Sequence, residues 1–258
     1  MNIAPALPQV PAEMLNDAAL TTLRQDLAAA FRLCHRFGWS ESVGNHFSAA
    51  VSANGRKFLL NPRWQHFATI KASDLLLLDA DDPDVMTGEN APDPSAWTVH
   101  GTLHRMLPEA RVILHCHSPY AVALSCLKDP TLLPLDNNTA RFFGRIGYDL
   151  DFGGIADAAE EGERLAAMIR GKAVLVMGNH GVSVAGETVA DAFEDLYFFE
   201  KAAQTMVLAL STGQPLAVLS DEIAQGTSDG WIPYRGMAER HFTYLKSCLD
   251  REDPSWRD

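Results

Sequence analysis

Apolar residues recur at two different spacings in the first third of the chain. Between Leu20 and Phe37 they return every three or four residues, which is the period of one face of an α-helix. Asn16 or Asp17 can cap the start of this helix, and Gly38 can end it in a left-handed conformation. After this helix the period shortens to that of extended chain. The segments predicted as strands are 46–51, 57–60 and 75–79.

The two periods alternate along the rest of the sequence. A helix is predicted to start at Pro94, with Ser95 as a possible N-cap, and to end at Pro108. The segment 173–177 is almost wholly apolar, as in a strand that is buried on both faces, and 182–185 is expected to pair with it. The other predicted elements are a strand at 111–117 and helices at 119–127, 157–169, 188–210 and about 234–249.

This order of elements predicts the fold class and the domain organisation. Strands grouped between long amphipathic helices favour a three-layer α/β/α sandwich with a central, mostly antiparallel sheet. No linker rich in Pro, Gly or Ser divides the middle of the chain. We therefore expect an extended arm at 1–15, one domain at 16–220, and a C-terminal helix and tail at 221–258 that pack on that domain.

Composition and charge narrow the range of functions. The 258 residues include 21 Lys and Arg against 33 Asp and Glu, a formal charge of −12, with no basic run that could neutralise a phosphate backbone. Nucleic acid and anionic membrane surfaces are therefore poor partners. The apolar runs are too short to span a bilayer, and residues 1–10 lack the basic start and apolar core of a signal peptide. With four cysteines and no CxxC pair, reduced thiols and a cytoplasmic protein are expected.

Three histidines are the candidate chemical centre. His115 and His117 stand two residues apart on a predicted strand, so their side chains leave the same face of the sheet. His180 follows another apolar strand, in a loop with Gly178 and Gly181 on either side that permit a tight turn. Two alternating core or surface histidines are the alternative interpretation of the strand pair. Together, three neutral nitrogen donors suit zinc, manganese, iron or cobalt and leave a coordination position for substrate.

Several segments in this order resemble the class II aldolase/adducin family. They are Gly-Asn-His-Phe-Ser at 44–48, the stretch 108–119 that contains His-Cys-His, and Asn-His-Gly at 179–181. The resemblance runs from about residue 20 to residue 215, and 249–258 is similar to the tail of the bacterial adducin-like branch.

The resemblance implies a fold, a cofactor and an assembly. It implies an α/β/α sandwich, one divalent metal ion held by His115, His117 and His180, and a homotetramer with a small-molecule substrate site near each subunit interface. Zinc is the first expectation for the ion, with manganese, iron or cobalt as alternatives. In aldolases of this family the metal polarises a carbonyl and stabilises the enediolate left by carbon–carbon cleavage, which is Lewis-acid chemistry.

The sequence departs from the family where the aldolases carry a catalytic Glu. Alignment through Trp97 and His100 puts Ala96 at that place. Three residues are candidates for the missing proton transfer. Asp93 is the simplest carboxylate, although it also suits a turn, and His100 could face the metal or be a packed core histidine. His46 follows a turn that approaches the substrate in the family.

The substrate side of the family site has also changed. Asn45, Arg63, Trp64 and Ser95 occupy the regions that contact substrate in the aldolases. Arg63 would suit a carboxylate as well as a phosphate, and Trp64 could stack on a planar substrate or serve as a hydrophobic plug.

These residues lead to one first hypothesis and two alternatives. The first is a divalent-metal-dependent carbon–carbon lyase, an aldolase or a decarboxylase, that acts on a small hydroxylated or oxo acid through a metal-stabilised enolate. The second is a noncatalytic interaction protein of the adducin type, which the loss of Glu at Ala96 supports and the three histidines oppose. The third is a metal-dependent dehydratase or epimerase on the same fold.

Overall fold

The structure, a computed structural model, describes residues 13–87, 91–151, 159–234 and 236–258. Within these ranges the chain folds into α-helices around one sheet. The helices are α1 (Asp17–Arg36), α2 (Pro94–Met106), α3 (Pro119–Ser125), α4 (Asn137–Ala140), α5 (Ala159–Ile169), α6 (Val189–Ser211), α7 (Asp221–Trp231) and α8 (Gly236–Glu252). The strands are β1 (His46–Ala50), β2 (Lys57–Leu60), β3 (Leu76–Asp79), β4 (Val112–Cys116), β5 (Ile146–Asp149), β6 (Val174–Met177) and β7 (Gly181–Gly186).

The seven strands form one sheet in the order β3-β2-β1-β4-β7-β6-β5. Every neighbouring pair is antiparallel except β5 and β6, which are parallel. The register between β1 and β4 places His46 opposite His115. The centre of the sheet therefore brings together two histidines that lie far apart in the sequence.

Helices cover both faces of this sheet. Helices α1, α3 and α6 pack on one face, and α2 and α5 pack on the other. The alternation of side chains along the strands divides the core accordingly: Leu114 and Cys116 belong to the α1/α6 side, whereas Ile113 packs with α2 and α5. The prediction of a three-layer α/β/α sandwich with a mostly antiparallel sheet is confirmed.

The ends of the helices follow from local chemistry. The side chain of Asn16 accepts a hydrogen bond from the amide of Ala19 and caps α1, and Gly38 beyond its end has a φ of +72°. Ser95 is not the N-cap of α2, so that prediction was wrong. The cap is Asp93, whose carboxylate accepts hydrogen bonds from the amides of Ser95 and Ala96. Asp93 precedes the proline at the first helical position, and its carboxylate also suits the positive end of the helix dipole.

The elements missed by the periodicity are strand β5, the one-turn helix α4 and helix α7. Strand β5 has the sequence Ile-Gly-Tyr-Asp, and its glycine hides the strand pattern. Gly147 is required there because a Cβ would lie 2.2 Å from the carbonyl oxygen of Met168. Helix α7 contains Gly226 and Gly230 and buries only Ala224 and Ser228, so its apolar stripe is too narrow to stand out in the sequence.

Both ends of the described chain contact the sandwich. Helix α8 packs on α6 and α1, and Trp256 in the tail is fully buried. At the other end Met14 forms an antiparallel bridge with Ser52, while residues 1–12 of the predicted arm lie outside the described residues. In the described part of the chain, no helix has both the length and the apolar character needed to cross a bilayer.

Candidate metal centre and active site

Three histidines from two segments of the chain lie close together. We call His115, His117 and His180 the histidine trio. His115 lies on β4 and His117 follows its end, so both side chains leave the sheet on the face covered by α2 and α5. His180 lies in the turn between β6 and β7, after Asn179 with a φ of +54°. Gly181 permits the approach, because a Cβ there would lie 2.7 Å from Cδ2 of His117.

The three rings face one small volume. Their centroids are 5.1 Å apart for His115 and His117, 4.9 Å for His115 and His180, and 4.8 Å for His117 and His180. One nitrogen from each ring lies within 4.8 Å of the other two. Nitrogens that surround a zinc ion at about 2.0–2.1 Å are separated by less than about 4.2 Å, so a small closing movement of the rings would complete the site.

In two of these histidines Nδ1 donates a hydrogen bond, so Nε2 carries a lone pair. Nδ1 of His115 lies 3.1 Å from the carbonyl oxygen of Val182, to which it donates, and Nδ1 of His117 lies 2.7 Å from Oε2 of Glu41. In this arrangement each Nε2 is an acceptor that can bind a cation. Nε2 of His117 is buried and has no hydrogen-bond partner among the described residues. A divalent cation would satisfy this nitrogen, so the residues fit the metal that the sequence predicts.

Electrostatics favour the neutral form of His115 and His180. Burial lowers the pKa of His115 well below its usual value, and the neighbouring histidines His46, His180 and His117 lower it further. Burial lowers the pKa of His180 to about 4, with a further contribution from His117. Both imidazoles are therefore neutral at pH 7, which is the form that coordinates metal.

The loop that carries Glu41 is held in a strained conformation. Ser42 and Asn45 have φ values of 46° and 71°, which are uncommon for residues with a side chain. Oδ1 of Asn45 accepts a hydrogen bond from the amide of Glu41, and Asn61 donates to the carbonyl oxygen of Asn45. Such strain is found at functional sites, and here these bonds hold the backbone of the loop whose Glu41 carboxylate contacts His117.

His46 lies beside the trio and is linked to α2. Its ring stacks on that of His115 with a centroid separation of 4.7 Å. Its Nδ1 is 2.7 Å from Nε2 of His100. Burial lowers the pKa of His46 to about 4, against an opposing contribution from the charge of Asp93. His100 itself is fully buried behind His46 and does not line the cavity.

The trio opens into a cavity of about 440 Å³, a size that suits a small-molecule site. Part of its wall is apolar and comes from both helices and strands. The apolar lining residues are Val99, Val122, Leu165 and Met177. The polar lining residues are Glu41, Asn45, His46, Ser95, His115, His117, Asn179, His180 and Ser183.

The structure does not bring every candidate residue to this cavity. His46, Asn45 and Ser95 line it together with the trio, whereas Arg63, Trp64 and Asp93 do not. The guanidinium of Arg63 stacks on the ring of Trp64 at 4.5 Å, and Trp64 is 71% exposed.

Ala96, which the resemblance aligns with the family Glu, lies outside the cavity lining. It is buried in an apolar cluster that includes Phe58 and Leu78. This position therefore offers no ligand or proton-transfer group.

Sequence reasoning missed four residues that support the site. Glu41 orients His117, and Glu200 accepts hydrogen bonds from Ser118, Tyr120 and Ala121, which fixes the chain just after His117. Ser48 and His104 lie behind His46 and His100. The sequence does carry a signal for Ser48 and His104, because Ser48 is two residues after His46 on a strand and His104 is four residues after His100 on a helix. Nothing local in the sequence marks Glu41 or Glu200.

Comparison with known proteins finds relatives that match most of the chain. A "Putative aldolase class 2 protein" of Caulobacter vibrioides is 33% identical over 238 residues, which cover 91% of each chain. A decarboxylase of Streptomyces niveus, NovR, is 26% identical and covers 82% of this chain and 81% of its own. An aldolase II superfamily protein from Pseudomonas syringae has the same fold, with a TM-score of 0.81, 29% identity, and coverage of 92% of this chain and 96% of that one.

The family assignment rests on a match that covers most of the chain. The family described as Class II Aldolase and Adducin N-terminal domain matches residues 25–207, a range that contains β1, β4 and all three histidines of the trio. The pairing of β4 with β7 and the turn before β7 place these histidines together within that range. The chain belongs to the class II aldolase/adducin family.

Proposed function

We propose that this chain is a divalent-metal-dependent lyase that breaks a carbon–carbon bond of a small hydroxylated or oxo acid, as an aldolase or a decarboxylase. The observation that carries the proposal is the histidine trio, with three nitrogens within 4.8 Å and, at the wall of a cavity, a buried Nε2 on His117 that has no partner in the described part of the chain. Buried polar atoms without a partner are rare, and this one is part of a metal-ligand set.

His115, His117 and His180 would hold the ion, with zinc as the first expectation and manganese, iron or cobalt as alternatives. When bound, the ion supplies a Lewis acid that withdraws electrons from substrate oxygens and stabilises the negative charge that develops when the bond breaks. Glu41 keeps His117 in the required orientation through its 2.7 Å hydrogen bond.

His46 is the group that we assign to proton transfer in place of the family Glu. It lines the cavity, it stacks on His115, and its Nδ1 is already bonded to His100, so its Nε2 is the nitrogen that meets substrate. Asn45 and Ser95 line the same cavity and would bind substrate oxygens. Asp93 caps α2, and its negative charge favours the protonated form of His46.

The cavity lining favours a substrate without a phosphate group. No Lys or Arg is among the described residues that line it, whereas phosphate sites use cationic side chains or clusters of backbone amides. Among the residues that the structure does not describe, 1–12, 88–90, 152–158 and 235, the single Lys or Arg is Arg235. The apolar wall of Val99, Val122, Leu165 and Met177 suits an aliphatic or aromatic group on the acid.

An adducin-like interaction protein and a dehydratase or epimerase remain the alternative functions. A scaffold needs neither a metal-ligand set nor a cavity of this size, and both features favour the enzyme. A dehydratase or epimerase would use the same residues and differ only in its products. We further propose a homotetramer that acts in the cytoplasm, which size-exclusion chromatography with light scattering and cell fractionation would test.

The experiment is a metal-reconstitution assay. Protein stripped with a chelator is reloaded with Zn²⁺, Mn²⁺, Co²⁺ or Fe²⁺ and incubated with hydroxy and oxo acids, with and without phosphate, while carbon dioxide and aldehyde are measured. We expect about one ion per chain and metal-dependent turnover of an unphosphorylated acid. The His180→Ala variant should lose both, whereas His35→Ala on α1 is the matched control and should lose neither. Stoichiometric metal with no lyase activity would favour a dehydratase or an epimerase, and no bound metal would favour the interaction protein.

A further inference from the structure

A chain of four polar side chains runs from the cavity into the core between β1 and α2. Nδ1 of His46 is 2.7 Å from Nε2 of His100, and Nδ1 of His100 is hydrogen-bonded to Oγ of Ser48. Oγ of Ser48 is 2.7 Å from Nε2 of His104. Nδ1 of His104 is 2.9 Å from the carbonyl oxygen of Ala110, which is the last group in this row of hydrogen bonds.

The spacing of residues along a strand and along a helix places these four side chains in one row. His46 and Ser48 are two residues apart on β1, and His100 and His104 are four residues apart on α2, so each pair shares one face of its element. Ser48, His100 and His104 are each 0% exposed. Because water does not reach them, every hydrogen bond in the chain has to be made by its neighbours.

The carbonyl of Ala110 sets the direction of every hydrogen bond. A carbonyl oxygen only accepts, so Nδ1 of His104 carries the hydrogen and Nε2 is a lone pair. Ser48 therefore donates its single hydrogen to His104, and it accepts from Nδ1 of His100. Nε2 of His100 is then a lone pair, and Nδ1 of His46 donates to it. Only Nε2 of His46 remains as an acceptor, and His46 lines the cavity.

We propose that Ser48, His100 and His104 are positioning residues that hold His46 in the tautomer whose Nε2 is the proton acceptor of the active site. This inference rests on the proposed function for the use of His46 in catalysis, but the tautomer itself does not depend on the reaction. The other tautomer of His46 would place two lone pairs against each other over 2.7 Å, which the fixed chain does not allow.

Removal of the hydroxyl of Ser48 is the direct test. In Ser48→Ala, His100 and His104 lose their shared partner, and His46 is no longer forced into one tautomer. Ser48→Thr keeps the hydroxyl and should keep His46 in a single tautomer. His104→Gln offers a side-chain oxygen that still accepts a hydrogen bond from Ser48. Ser228→Ala is the matched control, since Ser228 is a buried serine with two hydrogen bonds outside the site.

Two readouts separate positioning from simple structural support. In zinc-loaded protein with ¹⁵N-labelled histidine, NMR should show His46 as one tautomer, with its proton on Nδ1, in the unmodified chain, in Ser48→Thr and in Ser228→Ala. In Ser48→Ala it should show a mixture. The same variant should lose about tenfold or more in kcat, with KM within about twofold and the zinc content unchanged.

The results also separate this inference from the proposed function. A proton on Nε2 of His46 in the unmodified protein, or a single unchanged tautomer in Ser48→Ala, would overturn the inference while leaving any measured lyase activity in place. A protein with no lyase activity would overturn the proposed function, and the NMR result would still decide the tautomer. If Ser48→Ala does not fold, the tautomer in the unmodified protein and in His104→Gln decides the question.

Discussion

Six histidines of this protein lie on one side of the sandwich, and His46 stands between two groups of them that differ in their hydrogen bonds. In the histidine trio, His117 keeps a buried nitrogen without a partner among the described residues. In the second group, the buried pair His100 and His104, both nitrogens of each ring are hydrogen-bonded. Buried histidines therefore differ in whether a nitrogen is left for a ligand, and this difference supports the proposed metal site at the trio.

The largest expected contrast comes from truncating one member of each group. His117→Ala should lose the bound ion almost completely, yet its metal-free form should unfold with a free energy within about 1 kcal/mol of the unmodified protein, since the ring lies at a cavity wall. In His104→Ala the free energy of unfolding should fall by about 2–4 kcal/mol, because the substitution leaves a cavity and unpaired partners in the core.

Chemical unfolding of the metal-free proteins and metal analysis of the purified proteins measure both halves of this contrast. His35→Ala again serves as the control for loss of a histidine outside both groups. Equal stability losses in the two variants, with the metal retained in His117→Ala, would remove the distinction between the groups.

The carboxylate behind His117 should have the next largest effect. Glu41→Gln removes the charged acceptor that orients the ring, and such a change lowers metal affinity by about 10- to 100-fold. Competition with a chromophoric chelator measures the affinity, and Glu109→Gln, a glutamate outside the cavity, is the control. An unchanged affinity in Glu41→Gln would mean that the loop does not orient His117.

The buried pair should also contribute to the pH dependence of stability. Burial lowers the pKa of His104 to about 3, from 6.5, and the charge of Arg111 adds to the lowering; the hydrogen bond to Ala110 opposes it. Ser48 faces the same ring, and His100 is hydrogen-bonded to Ser48. Because the unfolded chain binds this proton more readily, the free energy of unfolding is reduced as the pH falls from about 6.5 towards 3, by about 1.4 kcal/mol per pH unit in this window.

Replacement of His104 isolates this contribution. His104→Gln should show a slope shallower by about that amount between roughly pH 6 and pH 4, as measured by urea unfolding of metal-free protein. Identical slopes in the two proteins would show that His104 is not held neutral by the fold.

The smallest effect is expected at Trp64. Its side chain is exposed and lies outside the cavity lining, so Trp64→Ala should change metal affinity and kcat/KM by less than about twofold and the free energy of unfolding by less than about 0.5 kcal/mol. A large loss of kcat/KM with normal metal content would instead indicate that Trp64 contacts the substrate.

Much of the fold could be predicted from the sequence because local patterns determine it. Helix α1 has a regular apolar stripe and both of its caps, and strand β6 is a wholly apolar run. Strand β5 was missed because its glycine is dictated by the approach of Met168, a contact between segments that are distant in sequence. The order of the strands likewise depends on long-range pairing that no local pattern records.

The trio was predicted from spacing and resemblance, whereas the supporting residues were not. The i, i+2 spacing of His115 and His117 is a local signal, and the glycine after His180 is another. Glu41 lies 76 residues before the histidine that it orients, so only the folded chain shows the contact. Asp93, a predicted proton-transfer candidate, caps α2, and from the sequence both functions look alike.

Diffraction from crystals grown with Zn²⁺, with data collected at the zinc absorption edge, is the decisive test of the metal centre. We predict one anomalous peak per chain, about 2.0–2.1 Å from one ring nitrogen of each of His115, His117 and His180. A peak at another site, or zinc-saturated crystals in which the three rings surround no anomalous peak, would contradict this assignment.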